Sequence, residues 1–173
     1  MARTAVVTGA ARGLGAAIAR RLAADGDRVL VADVNVAGAE EVAAEVGGEA
    51  AEHDVRSLES WERLLAAAGE VDVLVNNAAR TEIRSFWEID VDEWDDVLAT
   101  NLRGTYLGIR IVGAQMRDRG TGRIVNLASV AGQNSRAVTG VHYATSKAAI
   151  IALTRHAATE LAGSGVTVNA VAP

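Results

Sequence analysis

The sequence predicts an α/β protein, in which a doubly wound parallel sheet of about six strands carries helices on both faces. Short apolar runs alternate with longer alanine-rich stretches along the chain, and 50% of its 173 residues are hydrophobic. The stretches between the apolar runs are long enough for the helical crossovers that parallel strands require. No proline-rich linker divides the chain, so we expect a single domain over residues 1–173.

The apolar runs define the predicted strands in chain order. Each run is rich in valine, isoleucine or alanine and is bounded by turn residues or by a helical stretch. The strands are Thr4–Thr8, Arg28–Asp33, a weaker Glu49–Val55, Asp72–Val75, Arg123–Leu127 and Val166–Val171. Such sheets bind ligands at the carboxyl ends of their strands, near the point where the strand order reverses.

Apolar residues three or four positions apart predict the helices between these strands. The first helix shows this spacing at Leu14, Ile18 and Leu22, and Ser57 is a suitable cap for the third. Three glycines in the fourth stretch predict an uneven helix. The helices are Gly13–Asp25, Val36–Val46, the stretch from Ser57 to Ala68, Val91–Arg119 and Tyr143–Ala162, with an irregular segment at 79–90.

Composition excludes several classes of function. The net charge of −5 disfavours nucleic-acid binding, and no uncharged apolar run approaches the ~18 residues of a membrane span. The absence of cysteine excludes disulfides, thiolate metal sites and a cysteine nucleophile, and it suits a reducing cytoplasm. The three histidines lack metal-ligand spacing. We therefore expect a cytoplasmic protein with no bound metal, no nucleic-acid partner and no membrane segment.

A glycine-rich turn joins the first strand to the first helix and predicts a dinucleotide site. The turn reads Thr8-Gly9-Ala10-Ala11-Arg12-Gly13-Leu14-Gly15. Glycines let the backbone approach a pyrophosphate closely, and the N-terminus of the helix offers free N–H groups to the phosphates. A purely structural corner between strand and helix is the alternative explanation.

The residue that ends the second strand bears on which dinucleotide binds. Asp33 is placed to accept hydrogen bonds from the adenosine ribose and to repel a 2′-phosphate, which favours NAD. Arg12 in the glycine turn favours NADP instead, because its cation can bind that phosphate. We give Asp33 the greater weight, since it would lie directly against the 2′ position. A solvated acid at a strand end is the other interpretation of Asp33.

The single lysine of the chain, Lys147, follows Tyr143 by four residues in the last predicted helix. Residues at this spacing share one face of a helix. A free phenol ionises only near pH ~10, and a neighbouring ammonium favours the phenolate, which suits it to proton exchange with an alcohol or carbonyl oxygen. The competing interpretation is a buried tyrosine beside a lysine whose ammonium reaches the solvent.

Six motifs in order make the chain resemble the short-chain dehydrogenase/reductase family from Thr8 to Pro173. They are the glycine motif at 8–15, Asp54-Val55, Asn76-Asn77-Ala78, Asn101, Ser129, and Tyr143 with Lys147. Two departures are an alanine at position 79, where the family has glycine, and a longer spacing between Ser129 and Tyr143. The resemblance implies a Rossmann-like fold and reversible hydride transfer between a secondary alcohol and NAD, or less favourably NADP.

The resemblance also implies a role for each matched residue. Tyr143 is the general acid/base, Lys147 supports it and holds a ribose hydroxyl, and Ser129 hydrogen-bonds the reacting oxygen. Asn101 supports a water that links Lys147 to solvent. The implied cofactor-binding residues are Thr8, Gly9, Arg12, Gly13, Leu14, Gly15, Asp33, Asp54, Val55, Asn77, Ala78, Tyr143, Lys147 and Pro173.

Several further residues have weaker expectations. Candidates for the substrate side, each with a plain loop role as the alternative, are Gln133, Asn134, Arg136 and His142. Two histidines, His53 and His156, are expected at the surface. The large aromatic residues are expected to pack rather than to bind, and they are Trp61, Phe86, Trp87 and Trp94.

Length raises a second hypothesis about function. The family's substrate lid and seventh strand would follow Pro173, so we expect a chain shortened at its C-terminus. A catalytically silent dinucleotide-binding or scaffold protein is therefore the alternative to an enzyme. Extended sugar epimerases share the Tyr143–Lys147 pair, but residues 76–78 favour the simpler dehydrogenases. The resemblance further implies a small alcohol or ketone substrate and a homodimer or homotetramer through the helices at 91–119 and 143–162.

Overall fold

The sheet of the computed structural model is parallel and has six strands within residues 2–134 and 139–173, the part of the chain that the structure describes. These strands are β1 Thr4–Thr8, β2 Arg28–Asp33, β3 Glu49–Glu52, β4 Val73–Asn76, β5 Gly122–Leu127 and β6 Val166–Val171. Their order is β3-β2-β1-β4-β5-β6, so it reverses between β1 and β4. The fold is Rossmann-like, as predicted, and the ends of β1 and β4 flank the point where such sheets bind ligands.

Helices cover both faces of this sheet. They are α1 Gly13–Ala24, α2 Val36–Val46, α3 Leu58–Ala68, α4 Val91–Leu98, α5 Gly104–Arg119 and α6 Val141–Glu160. One core cluster packs α1 and α2 on the sheet and includes Ala19 and Val42. The other packs α3, α5 and α6 on the opposite face and includes Trp61, Met116 and Leu161. Among the residues described, no helix is long and apolar enough to cross a membrane.

Two boundaries differ clearly from the predictions. β3 ends at Glu52 rather than at Val55, because the chain turns where the Asp54 carboxylate accepts a hydrogen bond from the Arg56 N–H at 2.9 Å. The predicted helix at 91–119 is helical along its whole length but contains a π-helical turn, Ala99–Arg103, between α4 and α5. The other elements agree with their predicted bounds to within one or two residues.

Two buried rings join the end of β3 to α3. Trp61 is fully buried and donates its Nε1 hydrogen to the Val55 carbonyl at 3.0 Å. The His53 ring meets Trp61 edge-on, with 4.3 Å between the ring centroids, and its Nδ1 lies 3.0 Å from Ser60 Oγ. Because His53 is only 2% exposed, the prediction that it lies at the surface is wrong. His156 is exposed, as predicted.

The aromatic residues of the 79–90 segment do not pack as predicted. Trp87 is 88% exposed and Phe86 is 62% exposed, and their rings contact each other edge-on. Trp94 at α4 is half-buried, and Trp61 is the one of the four that lies in the core. The prediction holds for Trp61 and is wrong for Phe86 and Trp87, because no helix or strand covers this segment within the described residues.

Burial lowers the pKa of His53 to about 4, because the charged imidazolium would lose its hydration. Histidine in an unfolded chain titrates near pH ~6.5, so the unfolded state takes up this proton first as the pH falls. The free energy of unfolding should therefore decrease between about pH 6.5 and about pH 4, by up to about 3 kcal/mol, and the contribution should level off below that. Urea unfolding across this pH range measures the effect.

A pair of variants separates His53 from the other titrating groups. His53→Leu should flatten the slope between about pH 6.5 and about pH 4, since the group that takes up the proton is gone. His156→Asn is the matched control, because it removes an exposed histidine and leaves His53 in place. A slope in His53→Leu equal to that of the parent protein contradicts the prediction.

Candidate cofactor cleft and active site

The glycine-rich turn between β1 and α1 is shaped by close backbone packing. Gly9 and Gly13 have φ angles of 63° and 59°, a left-handed region that favours glycine. A Cβ at Gly9 would lie 2.6 Å from the Cα of Ala78, and a Cβ at Gly15 would lie 2.6 Å from Asn77 Nδ2. At Gly13 nothing lies within 4 Å of the Cβ position. The turn is therefore closed against β4 on one side and open on the other.

Thr8 and Asn77 fasten this turn to the end of β4. The Thr8 hydroxyl accepts hydrogen bonds from the N–H groups of Asn77 and Ala78, both at 3.1 Å. The Asn77 side-chain amide donates to the carbonyl oxygens of Thr8 and Gly9, both at 2.9 Å. These predicted cofactor residues thus join the two strand ends at the point where the sheet reverses.

The start of α1 suits an anion. Arg12 is the N-cap residue and makes no capping hydrogen bond with its side chain. The N–H groups of a first helical turn carry the positive end of the helix dipole, and they favour a phosphate where no side chain caps them. Together with the open side of Gly13, this arrangement fits a dinucleotide pyrophosphate.

The Asp33 carboxylate ends β2 and reaches across to the glycine turn. Its Oδ2 accepts a hydrogen bond from the Ala11 N–H and its Oδ1 accepts one from the Asn35 N–H, both at 2.9 Å. A carboxylate has about four acceptor positions, so Asp33 can still accept hydrogen bonds from two ribose hydroxyls. Both backbone contacts fix where those acceptor positions point.

A single cleft of about 520 Å³ brings most of the predicted cofactor residues together. Ten of them border it, namely Gly9, Arg12, Gly13, Leu14, Gly15, Asp33, Asp54, Val55, Asn77 and Ala78. Sequence reasoning missed a second group on the same cleft, which consists of Val34, His53, Arg56, Ala79, Arg80 and Thr100. Each missed residue lies within two positions of a predicted site residue, so its place in the sequence could have indicated that it borders the cleft.

Ion pairs close one wall of the cleft. Arg56 contacts Asp54 at 2.9 Å and Asp96 at 2.7 Å, and Asp96 on α4 also pairs with Arg80. The hydrogen bond from Arg56 holds the pKa of the Asp54 carboxyl below its usual range, so this group is charged at neutral pH. These pairs tie the loops that follow β3 and β4 to α4.

Lys147 is buried beside Tyr143. The lysine is 3% exposed, its Nζ donates to the Leu127 carbonyl at 2.5 Å, and it lies 5.5 Å from the centroid of the Tyr143 ring. Burial lowers the pKa of Lys147 to about 8, because the ammonium loses hydration. The alternative of a lysine whose ammonium reaches the solvent is therefore wrong. The structure brings the pair together at the carboxyl end of β5.

Ser129 lies just beyond this end of β5. Its hydroxyl accepts a hydrogen bond from the Ala131 N–H at 3.2 Å and caps the short 3₁₀ turn Val130–Gly132. A Cβ at Gly132 would lie 2.6 Å from the carbonyl carbon of Lys147, so the turn packs tightly on α6. The Val130 N–H donates to the carbonyl of Pro173 at 3.1 Å, which brings this predicted cofactor residue to the same turn.

Asn101 is fully buried at the centre of the π-helical turn. Its Oδ1 accepts from the Arg80 N–H at 2.7 Å, and its Nδ2 donates to the Arg80 carbonyl at 2.9 Å and to Ser146 Oγ at 3.0 Å. The Ser146 hydroxyl in turn donates to the Tyr143 carbonyl at 2.7 Å. Asn101 therefore joins the cleft wall at Arg80 to the helix that carries Tyr143 and Lys147.

The candidates for the substrate side fall into three groups. Gln133 and Asn134 are exposed directly after the 3₁₀ turn. Arg136 lies outside the described residues. His142 is fully buried and makes two hydrogen bonds, so it is neither a loop residue nor exposed to substrate. Periodicity does not predict this, because His142 precedes the helix start that the sequence indicates.

The comparisons with known proteins agree with this geometry. The family model for short chain dehydrogenases matches residues 3–173. The chain belongs to this family. A protein of Sinorhizobium meliloti 1021 described as a short-chain alcohol dehydrogenase superposes with a TM-score of 0.92 at 36% sequence identity, covering 100% of this chain and 72% of that one. Members of the family are typically oxidoreductases that bind nicotinamide dinucleotides, and the cleft suits such a ligand.

Two curated relatives are polyol dehydrogenases by name. Sorbitol dehydrogenase of Cereibacter sphaeroides is 40% identical over 178 residues, which is 99% of this chain and 69% of that protein. D-threitol dehydrogenase of Mycolicibacterium smegmatis is 38% identical over 182 residues, again 99% of this chain and 69% of that protein. Similarity at this level extends over the whole cleft and over the segment that carries Tyr143 and Lys147.

Proposed function

We propose that this member of the family interconverts a secondary alcohol and a ketone with NAD or NADP, using Tyr143 as general acid/base. The observation that carries the proposal is the buried Lys147 ammonium against the Tyr143 ring, beside the end of β5. The neighbouring cleft, with its open glycine turn, supports the dinucleotide half of the proposal.

The pair accounts for proton transfer at the reacting oxygen. With a pKa of about 8, Lys147 carries its charge at neutral pH, and an ammonium near a phenol favours the phenolate. In alcohol oxidation the Tyr143 oxygen takes the proton of the substrate hydroxyl, and in ketone reduction it returns a proton. One of the three N–H donors of Lys147 is used by Leu127, so others are available for ribose hydroxyls.

Ser129 is the proposed hydrogen-bond donor to the reacting oxygen. Its hydroxyl already accepts from the Ala131 N–H, and its own hydrogen can therefore point toward the substrate. Donation to an oxygen that gains negative charge stabilises the transition state. This assigns Ser129 to charge stabilisation and Tyr143 to proton transfer.

The cofactor-binding residues divide by the part of the dinucleotide they would hold. The glycine turn and Arg12 would hold the pyrophosphate, Asp33 and Asp54 the adenosine end, and Lys147 a ribose hydroxyl. When bound, the nicotinamide ring supplies the hydride acceptor or donor, which no protein side chain can be.

Asn101 has a more restricted role than the resemblance implies. The side-chain amide has both hydrogens and its oxygen engaged by Arg80 and Ser146. The side chain therefore has no free amide hydrogen to donate to a water that links Lys147 to solvent. The side chain acts by holding α6 against the cleft wall.

Replacement of Tyr143 by phenylalanine tests the proposed reaction. Tyr143→Phe keeps the ring and removes the hydroxyl, so turnover should fall by at least about a thousandfold while NADH binding stays within about twofold. The assay follows NADH absorbance over a panel of polyols and simple ketones that includes sorbitol and D-threitol. Binding is measured by NADH fluorescence.

The control is Tyr106→Phe, the same substitution at an exposed tyrosine, which should turn over like the parent protein. Near-normal turnover in Tyr143→Phe removes this residue from its role. Cofactor binding by the parent protein without turnover of any substrate in the panel would support the alternative of a catalytically silent dinucleotide-binding protein.

We propose NAD as the preferred cofactor, because Asp33 would oppose a 2′-phosphate. Its two backbone hydrogen bonds keep the carboxylate at the end of β2, on the wall of the cleft. Arg12 borders the same cleft but is not fixed by a capping bond, so its charge can remain in solvent. The fixed negative charge of Asp33 should therefore affect the choice of cofactor more than the mobile positive charge of Arg12.

Measured affinities for the two reduced cofactors test this preference. NADH should bind at least about tenfold more tightly than NADPH. Asp33→Asn should reduce the ratio of their two dissociation constants by about tenfold, because the side chain keeps its shape and loses its negative charge. Asp25→Asn, at an acid remote from the cleft, is the control for net charge. Tighter binding of NADPH by the parent protein overturns the assignment.

We propose a homodimer or homotetramer that forms through α4, α5 and α6. A hollow of about 890 Å³ is bordered by residues of this helical region, including Leu98, Leu102 and Leu153. This hollow lacks Tyr143 and Lys147, so its size does not make it the active site. Light scattering at micromolar concentration should give at least twice the monomer mass, and Leu153→Arg should reduce it. A strictly monomeric parent protein contradicts this proposal.

A further inference from the structure

The start of α6, two residues before Tyr143, lacks an ordinary helix cap. Gly140 is the N-cap residue and has no side chain to satisfy the first N–H groups of the helix. Its φ angle of −65° is open to any residue, so backbone conformation does not require glycine here. Space does: a Cβ at Gly140 would lie 2.6 Å from His142 Nδ1 and 2.6 Å from the Glu82 carbonyl oxygen. The position that a capping side chain would take is filled by His142.

His142 supplies the missing cap from within the helix. Its ring is fully buried, and its Nδ1 accepts a hydrogen bond from the backbone N–H of Tyr143 at 2.9 Å. Because Nδ1 is the acceptor, the ring hydrogen of the neutral form is on Nε2, which lies 3.0 Å from Glu93 Oε1. The ring is therefore held at both nitrogens in one orientation and one tautomer.

Glu93 connects this cap to two other elements. It belongs to the first turn of α4, where its N–H donates to Asp90 Oδ1 at 2.7 Å. Its second carboxylate oxygen, Oε2, accepts from Arg84 Nε at 2.8 Å, in the segment that follows β4. Arg84, Glu93 and His142 thus form a chain of contacts that ends on the backbone of Tyr143.

The backbone of Tyr143 is fixed on both sides. His142 accepts from its N–H, and the Ser146 hydroxyl donates to its carbonyl at 2.7 Å. The phenol can meet the Lys147 ammonium only if this first turn of α6 keeps its shape. Lys147 on α6 faces the Tyr143 ring, while Glu93 contacts the His142 ring and Arg84 contacts Glu93.

We infer that His142 is a positioning residue for the general acid/base, which it holds in register with Lys147 by accepting the Tyr143 N–H, with Glu93 fixing its tautomer. The inference rests on the proposed role of Tyr143. It assigns His142 to the catalytic side of the molecule although the ring is buried away from any substrate.

The backbone of Tyr143 can be observed without any substrate. The chain has two tyrosines, so in protein labelled with 15N-tyrosine the Tyr106→Phe variant identifies the backbone amide signal of Tyr143. His142→Ala should make the Tyr143 amide hydrogen exchange at least about tenfold faster, because its N–H loses the acceptor Nδ1. Once a substrate is known, kcat should fall while the Kd of NADH stays unchanged.

Two conservative variants identify the atom responsible. In His142→Asn the side-chain oxygen takes the place of Nδ1 and should restore most of the protection of the Tyr143 amide against exchange and most of kcat. In His142→Gln the amide reaches Glu93 but not the Tyr143 N–H, and should restore neither. His156→Ala, at an exposed histidine of the same helix, is the matched control and should behave as the parent.

Each result decides for or against the inference. A folded His142→Ala protein in which the Tyr143 amide exchanges as slowly as in the parent overturns it, and so does a His142→Gln protein that performs as well as His142→Asn. If His142→Ala fails to fold, the comparison of the Asn and Gln variants still decides. A protein in which Tyr143→Phe keeps its turnover would refute the proposed function, whereas amide exchange would still show whether His142 holds the backbone of Tyr143.

Discussion

The buried amide of Asn101 is the interaction on which the arrangement of the site depends. Its three hydrogen bonds leave no polar atom of the amide unpaired, and an unsatisfied buried group costs about 1–3 kcal/mol. The loop after β4, the π-helical turn and α6 must therefore be in place together. The wall of the cleft at Arg80 and the helix that carries Tyr143 consequently have one relative position.

The hydrogen bonds of Thr8 and Asn77 fix the position of the glycine turn in the same way. These hydrogen bonds and those of Asn101 lie at the carboxyl edge of the sheet, where β1, β4 and β5 end side by side. Dinucleotide binding and proton transfer are thus supported by neighbouring strand ends, and the exposed 79–90 segment adds Arg80, whose backbone bonds Asn101, and Arg84, which pairs with Glu93. The side chains that would touch a ligand project from elements that are already fixed by backbone contacts.

Local patterns in the sequence were sufficient for the sheet, the glycine turn and the Tyr143–Lys147 pair, because strand and helix periodicity and short motifs depend only on neighbouring residues. Long-range features could not be predicted in this way. The ion pair of Arg56 with Asp96 depends on where α4 approaches the cleft, and the burial of His53 depends on the position of Trp61. The polarity of histidine alone indicated that His53 lies at the surface, whereas its edge-on contact with the Trp61 ring keeps it buried.

The π-helical turn also shows where this chain can take up a change of length. Each residue added to or removed from a regular helix rotates everything that follows by about 100°. A regular α-helix would cover the rotation of the Ala99–Arg103 turn with about one residue fewer, so the turn accommodates an extra residue while Leu107, Val112 and Met116 of α5 still face the core. An insertion or deletion within α5 has no such accommodation and would turn these side chains away from the core. We therefore expect a one-residue difference in length to be tolerated at the π-helical turn and not within α5.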